Sequence, residues 1–191
     1  MRYLVWGLRI LVAAIFFSFL HYTLPQHDIV RITGTYEERI GPGENSLFWV
    51  GSDTGNDVVN NSRDVFFIQT RKANGRVMVY RNEDTGWGWP PYFKFDTANL
   101  QAEAVDAIST AETPQWFAVM HYGWRFELAS AFPNAISIRP IEGPDTRVIP
   151  WVSVIILIAL AASLWAIRAR WIRFRERKLN PVIDEWTDGW G

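Results

Sequence analysis

The sequence predicts an α+β protein: a small, mostly antiparallel β domain with one packed helix, flanked by two transmembrane helices. Three observations carry this expectation. Residues 148–167, "VIPWVSVIILIALAASLWAI", run for twenty residues without a charge. The first 24 residues are apolar apart from Arg2 and Arg9 and a few uncharged polar groups. Between these ends, apolar and polar residues alternate, and an Asn74-Gly75 pair marks a hairpin. The expected organisation is an anchor over 1–24, an extracytoplasmic β-rich domain over 25–147, a transmembrane helix over 148–167 and a basic tail over 168–191.

About twenty residues at a rise of 1.5 Å cross a hydrocarbon core roughly 30 Å thick, so 148–167 is long enough to span one. Trp151 and Trp165 sit near its two ends, where aromatic rings favour the interface. Pro150 is expected in the first turn, where a missing N–H costs nothing. In the first segment the strongest apolar run is Ile10 to Leu20, and Arg9 is near enough to its start to reach the headgroups. A cleaved signal peptide would need small residues after that run; "FSFLHYTLPQHD" offers bulky ones, so an uncleaved anchor is expected.

Charge sets the expected orientation. Arg2 and Arg9 precede the first anchor, and six basic residues with one acid occupy 168–178. Residues 24–147 carry 11 Lys+Arg against 16 Asp+Glu. By the positive-inside rule both termini are cytoplasmic, and the middle domain is periplasmic in a bacterial inner membrane. Arg168, Arg170, Trp171, Arg173, Phe174 and Arg175 interleave cations with aromatics, as expected for contact with lipid headgroups rather than nucleic acid. Trp186 and Trp190 in the acidic end could dock on a partner.

Within the middle domain, "DIVRITGTYEERI" reads as a strand with a bulge around Gly34. "LFWV" reads as a short buried strand and 51–64 as a polar loop. Residues 65–72 and 76–82 form the expected hairpin, with Asn74-Gly75 in a type I′ turn. "TANLQAEAVDAISTAE" is the one expected helix, capped by Asp96 or Thr97, with Leu100, Ala104, Ile108 and Ala111 on its apolar face. "QWFAVMHYGWRFEL" supplies one or two strands around Gly123, and "NAISIRP" the last.

The phrases "HYTLPQHDIVRITGTYE", "VMVYRNEDTGWGWPPYFKFDTANLQAEA" and "MHYGWRFELASAFPNAISI" resemble a bacterial domain-of-unknown-function family, family 1523. The resemblance covers most of the chain. It implies a bacterial inner-membrane protein and brings no activity, substrate or site residue with it.

The residues themselves offer little chemistry. With no cysteine, disulfides and thiol catalysis are excluded. No nucleophile elbow, phosphate loop or dinucleotide fingerprint is present. His21, His27, Asp28 and His121 lack a recognised metal spacing, so no metal or cofactor is expected; His121 is expected to be a partly buried strand residue. Asp53, Asn56 and Asp57 do not follow the calcium-loop pattern and are expected to be solvated. The pairs Glu37-Glu38 and Glu83-Asp84 are likewise expected in solvent.

The most distinctive stretch is "GWGWPPYFKF". Read as an extended segment, it puts Phe93 and Phe95 on one face, towards the core. Trp87, Trp89, Pro90, Pro91 and Tyr92 are then the candidate contacts for a partner or ligand, with a structural corner as the alternative. The expected function is a non-enzymatic, accessory or assembly component of a membrane complex, with lipid and a membrane protein as partners. The alternatives are a module that binds a glycan, peptide or lipid headgroup, and an enzyme of unrecognised type. Ala159, Ala161, Ala162, Ser163 and Ala166 leave room for helix association, including a homo-oligomer.

Overall fold

The computed structural model describes residues 2–40 and 63–180. The predicted "LFWV" strand, the loop with Asp53, Asn56 and Asp57, and Trp186 and Trp190 lie outside the described residues. The chain forms two compact units, Met1–Ile149 and Pro150–Gly191.

The first unit opens with helix α1, Arg2–Thr23, whose 22 residues leave nearly all their apolar side chains exposed. Five strands follow: β1 Gln26–Ile40, β2 Arg63–Lys72, β3 Val77–Asn82, β4 Trp116–Tyr122 and β5 Asn134–Ile141. Helix α2, Thr97–Asp106, lies between β3 and β4. The strands close a barrel in the order β1-β2-β3-β5-β4. All pairings are antiparallel except the contact of β3 with β5 at Arg81 and Asn134. Five strands in this order, with a helix between the third and fourth, have the connectivity of an OB-type Greek-key barrel.

Strand β1 closes the barrel because it is long enough to serve two neighbours. Gln26 to Val30 pair with β4, and Val30 to Ile40 pair with β2. The predicted bulge falls between Ile32 and Gly34, where the register shifts. A bulge bends and twists a strand, which lets one strand turn the barrel's corner.

Inside, Val30, Ile32, Ile68, Tyr80, Phe117, Val119 and Ala135 form a buried core, and Leu100, Ala104 and Ala107 of the α2 region cap it. The expected N-cap is Asp96, which accepts a bond from the Asn99 amide at 3.1 Å. The helix is shorter than predicted. It ends at Asp106, so Ile108 and Ala111 are not on its apolar face, and Ile108 is 43% exposed. The competing interaction is with β1: Ile108 bridges Ile32, and the Ser109 amide donates to the Ile32 carbonyl at 3.0 Å. A backbone acceptor beside a bulge needs a donor, and helix continuation would withhold it.

The hairpin pairs as predicted, but its turn differs. Gly75 has φ of 79° while Asn74 is not left-handed. The Gly75 amide donates to Lys72 O at 2.9 Å, and the Lys72 amide donates to Arg76 O at 2.9 Å. This is a three-residue loop ending in a left-handed glycine, not the two-residue I′ turn. An extra residue, Ala73, sits in the connection, and Asn74 uses its side chain to accept from the Arg76 amide at 3.1 Å.

The second unit is helix α3, Trp151–Phe174, continued by a π-helical turn at Arg175–Leu179. Pro150 is its N-cap, one position ahead of the expected first turn. Both α1 and α3 are long and apolar enough to cross a membrane.

Candidate functional site: an aromatic collar where the first helix meets the barrel

Thr23 ends α1 and β1 begins at Gln26, so helix and barrel are joined by two residues. Side chains from three later segments brace this joint. The Gly123 amide donates to Tyr22 O at 2.9 Å, in a turn where Gly123 has φ of 91°. A Cβ at Gly123 would only touch Pro133 and the Tyr22 ring, at 3.6 Å or more, so the backbone angle is what calls for glycine. The next residue, Trp124, donates from Nε1 to His21 Nδ1 at 2.8 Å and packs edge-on against Tyr22. Gln26 donates to His21 O at 2.8 Å. From the loop after β3, Tyr92 donates its hydroxyl to Thr23 O. Its ring stacks on buried Tyr122 at 4.9 Å, and burial, with Tyr122 beside it, pushes its pKa upward.

The same loop places both predicted tryptophans outside. Trp89 stacks on Phe19 of α1, with centroids 5.7 Å apart and planes within 10°. Trp87 packs on Phe93 and Phe95 instead, at 5.4 and 5.6 Å. Trp87 is 84% exposed and Trp89 61%. Pro90 is buried, Pro91 is exposed and Tyr92 is half-buried. The five candidates thus divide: Trp87, Trp89 and Pro91 face outward, while Pro90 and Tyr92 hold the corner.

Phe93 and Phe95 are not in the core. Each is more than half exposed, and Phe93 has a left-handed φ of 51°. The alternation exists with the opposite phase, so the residue that turns inward is Lys94. Its main chain closes the loop: Lys94 N donates to Thr85 Oγ1 at 3.0 Å, and the Thr85 and Gly86 amides both donate to Lys94 O at 3.1 Å. Its ammonium donates to Asn82 Oδ1 and, at 2.9 Å, to Ala135 O. Burial outweighs the nearby Asp84 and Glu83 carboxylates and lowers the Lys94 pKa to about 8.

Around Lys94 the interior is polar and well paired. Asn82 donates to Thr97 O and Gln101 Oε1, both at 3.0 Å. Asn134 bonds both backbone groups of Glu83 at 3.0 Å and reaches the Tyr122 hydroxyl. Arg81 and Glu83 form a buried pair at 3.2 Å. Glu83 therefore departs from the expected solvated carboxylate: Arg81 draws it inward. Its neighbour Asp84 accepts from the Thr97 amide at 3.0 Å, while Glu37 and Glu38 are exposed as expected.

A second polar cluster lies in the barrel. Asp28 of β1 accepts from Lys72 at 2.7 Å and from the Tyr80 hydroxyl at 2.6 Å, and His121 Nε2 lies 3.2 Å away. Burial pushes the Asp28 pKa up, but His121, Lys72 and Tyr80 together outweigh it and hold the carboxyl well below its usual range. His121 is fully buried rather than partly so, at 4% exposed. Of the four possible metal ligands only Asp28 and His121 meet. Among the described residues no group of three or more His, Asp or Glu is placed to hold a metal.

In the second unit, Arg168, Arg170, Trp171, Arg173, Phe174 and Arg175 occupy the last turns of α3 and the residue after it. Trp171 and Phe174 lie three apart with centroids at 5.9 Å, and both rings are about half exposed.

The collar presents ring faces, and the polar groups behind them are engaged in holding the loop. Rings with an apolar body and a wet edge suit a boundary between apolar and aqueous surroundings. The sequence reading missed Trp124, Lys94 and Asn134. Trp124 had a signal in the glycine before it, which marks a sharp change of chain direction.

The family described as "Protein of unknown function (DUF1523)" matches residues 1–175. An uncharacterized protein of Haemophilus influenzae is 37% identical over 167 residues, covering 86% of this chain and 89% of that protein. No solved structure matches the chain.

Proposed function

The chain belongs to the DUF1523 family, and since that membership assigns no activity, we propose from the geometry that it is a non-enzymatic accessory protein of the bacterial inner membrane. In this reading α1 and α3 are transmembrane, both termini are cytoplasmic, and the barrel is held close against the periplasmic face of the bilayer. There it stabilises or helps assemble a membrane protein complex.

One observation carries the reading: Trp89 stacks on Phe19, four residues before the end of α1. Four residues of helix are about 6 Å, so Trp89 sits level with the last turn of the anchor. If α1 spans the bilayer, the aromatic loop lies at headgroup depth, where tryptophan is favoured. Trp87, Phe93 and Phe95 then extend that belt sideways, towards lipid and towards any protein seated beside the anchor. Charge supports the orientation, through Arg2 and Arg9 at one end and the six basic residues of 168–178 at the other.

The test is mild detergent extraction of the tagged full chain from its native membrane, with mass spectrometry of what accompanies it. The expected result is one stoichiometric membrane protein, lost when Trp87 and Trp89 are both replaced by alanine. Recovery of the chain alone, as monomer or homo-oligomer, would overturn the accessory role and favour a ligand-binding module.

A further inference from the structure

On the outside of the barrel, β1, β4 and β5 enclose a cavity of about 200 Å³. Its position follows from strand alternation. Asp28 turns into the barrel, so His27 turns out; beside it are Met120 of β4 and Ser137, Arg139 and Ile141 of β5, with Val148 closing one side. Every polar side chain in the lining can donate a hydrogen bond, and none is a carboxylate. Among the described residues the Arg139 guanidinium makes no hydrogen bond or ion pair. His27 Nδ1 is buried without a hydrogen-bond partner. Burial, then Arg139, then His121 lower the His27 pKa.

An exposed arginine, a histidine and a serine line one cavity with no carboxylate among them, so an anion entering it meets hydrogen-bond donors and no opposing charge. We propose that this cavity binds a phosphate group, with Arg139 as the principal cation and His27 and Ser137 as further donors. Donors from the two strands that flank β4, His27 of β1 with Ser137 and Arg139 of β5, suit a group with several acceptor oxygens, and arginine matches phosphate through paired N–H groups. The volume falls short of the about 300–1,000 Å³ that engulf a whole organic ligand, so the site takes the phosphate and the atoms next to it.

Two sources could supply that group: a phospholipid headgroup or free phosphate. His27 is four residues past the end of α1, and Val148 is three residues before the start of α3. The cavity is therefore tied by short chain segments to both apolar helices, and its wall of Met120, Ile141 and Val148 suits the start of an acyl ester. Only this choice of source rests on the membrane reading above; the anion site stands on the lining residues.

The experiment uses the full chain in a nonionic, phosphate-free detergent, with binding read from the His27 imidazole nitrogen signals, assigned by H27Q. One titrant is inorganic phosphate and the other is dihexanoyl phosphatidylglycerol below its micelle concentration. Saturable movement of the His27 signals is expected, and Arg139→Gln should weaken it at least about tenfold, the worth of one charge-assisted hydrogen bond. Arg139 is exposed, so the variant should keep the wild-type circular dichroism. Tighter binding of the lipid supports the headgroup as the source; equal binding supports a phosphate site fed from solution. Immobile His27 signals with both titrants, or identical titrations for wild type and Arg139→Gln, would overturn the site. Neither result depends on a protein partner or on the tryptophans, so failure here is separable from failure of the accessory role.

Discussion

The barrel and the loop outside it invert the usual arrangement of side chains. The barrel wall and interior contain Asp28, His121, Arg81, Glu83 and Lys94, while Trp87, Trp89, Phe93 and Phe95 stand outside. Charged residues are seldom fully buried unless paired, and large aromatics usually supply core. The contrast teaches where specificity is held in this small domain. Asp28, Arg81, Glu83 and Lys94 are engaged by one another, by neighbouring polar side chains or by backbone carbonyls, and these pairings help fix which strand faces which, while buried His121 Nδ1 has no hydrogen-bond partner among the described residues. Among the described residues the ring contacts of the rim tryptophans are with Phe93, Phe95 and Phe19 of α1, and much of their surface stays exposed.

The comparison breaks first at Asp28, where the largest effect is expected. Asp28→Asn removes the carboxylate shared by Lys72, Tyr80 and His121 and should cost about 3 kcal/mol at neutral pH, within the range for breaking a buried pair. The pH dependence gives a sharper check. The folded-state pKa of Asp28 lies below its unfolded value, so its stabilisation is present above about pH 4 and is lost as pH falls below that. Urea titrations of the full chain in detergent should show wild type and Asp28→Asn far apart at pH 7 and converging in acid. A constant gap would mean that Asp28 acts by shape and not by charge.

Lys94 is the opposite case, a buried base whose pKa is lowered to about 8. The unfolded chain holds this proton up to about pH 10.4, so between those values the unfolded state binds more protons and stability rises with pH. Relative to Lys94→Met, wild type should gain about 2 kcal/mol between pH 7.5 and 9.5. Tyrosine ionisation is common to both proteins and drops out of the difference. A flat difference would place the ammonium in contact with water.

How much of this was legible follows from where each signal came from. The barrel strands were readable because alternation and the Asn74-Gly75 pair are local: β1 with its bulge, the hairpin and β5 all lie where expected. Closure of the barrel was not, because it depends on β1 pairing twice, and nothing local to "DIVRITGTYEERI" says so. The end of α2 was misjudged for a related reason: "ISTAE" continues a helical pattern, but the Ile32 carbonyl, far off in sequence, captures Ser109. At the site, the aromatic content of "GWGWPPYFKF" was plain while its phase was not. Two phenylalanines either side of a lysine read as core, and only the acceptors on Asn82 and Ala135 make the lysine the buried member. The bracing of α1 by Trp124 and Tyr92 joins residues about 70 and 100 positions away and has no footprint in either segment alone.

The smallest effects separate the two tryptophans of the collar. Trp89→Ala loses a stacked ring on α1 and should destabilise the joint by about 1 kcal/mol in detergent. Trp87 is 84% exposed and packs on two rings that are themselves more than half exposed, so Trp87→Ala should shift stability by less than about 0.5 kcal/mol. A bilayer changes the prediction in one direction only. Transfer from detergent to lipid nanodiscs should raise the cost of both substitutions, because each ring then also loses its place at the interface, and Trp87→Ala should gain most in proportion. If Trp87→Ala stays neutral in nanodiscs, lipid is not what covers this ring. Its exposed face would then be left to water or to a protein partner, and the rim would not be a seat on lipid.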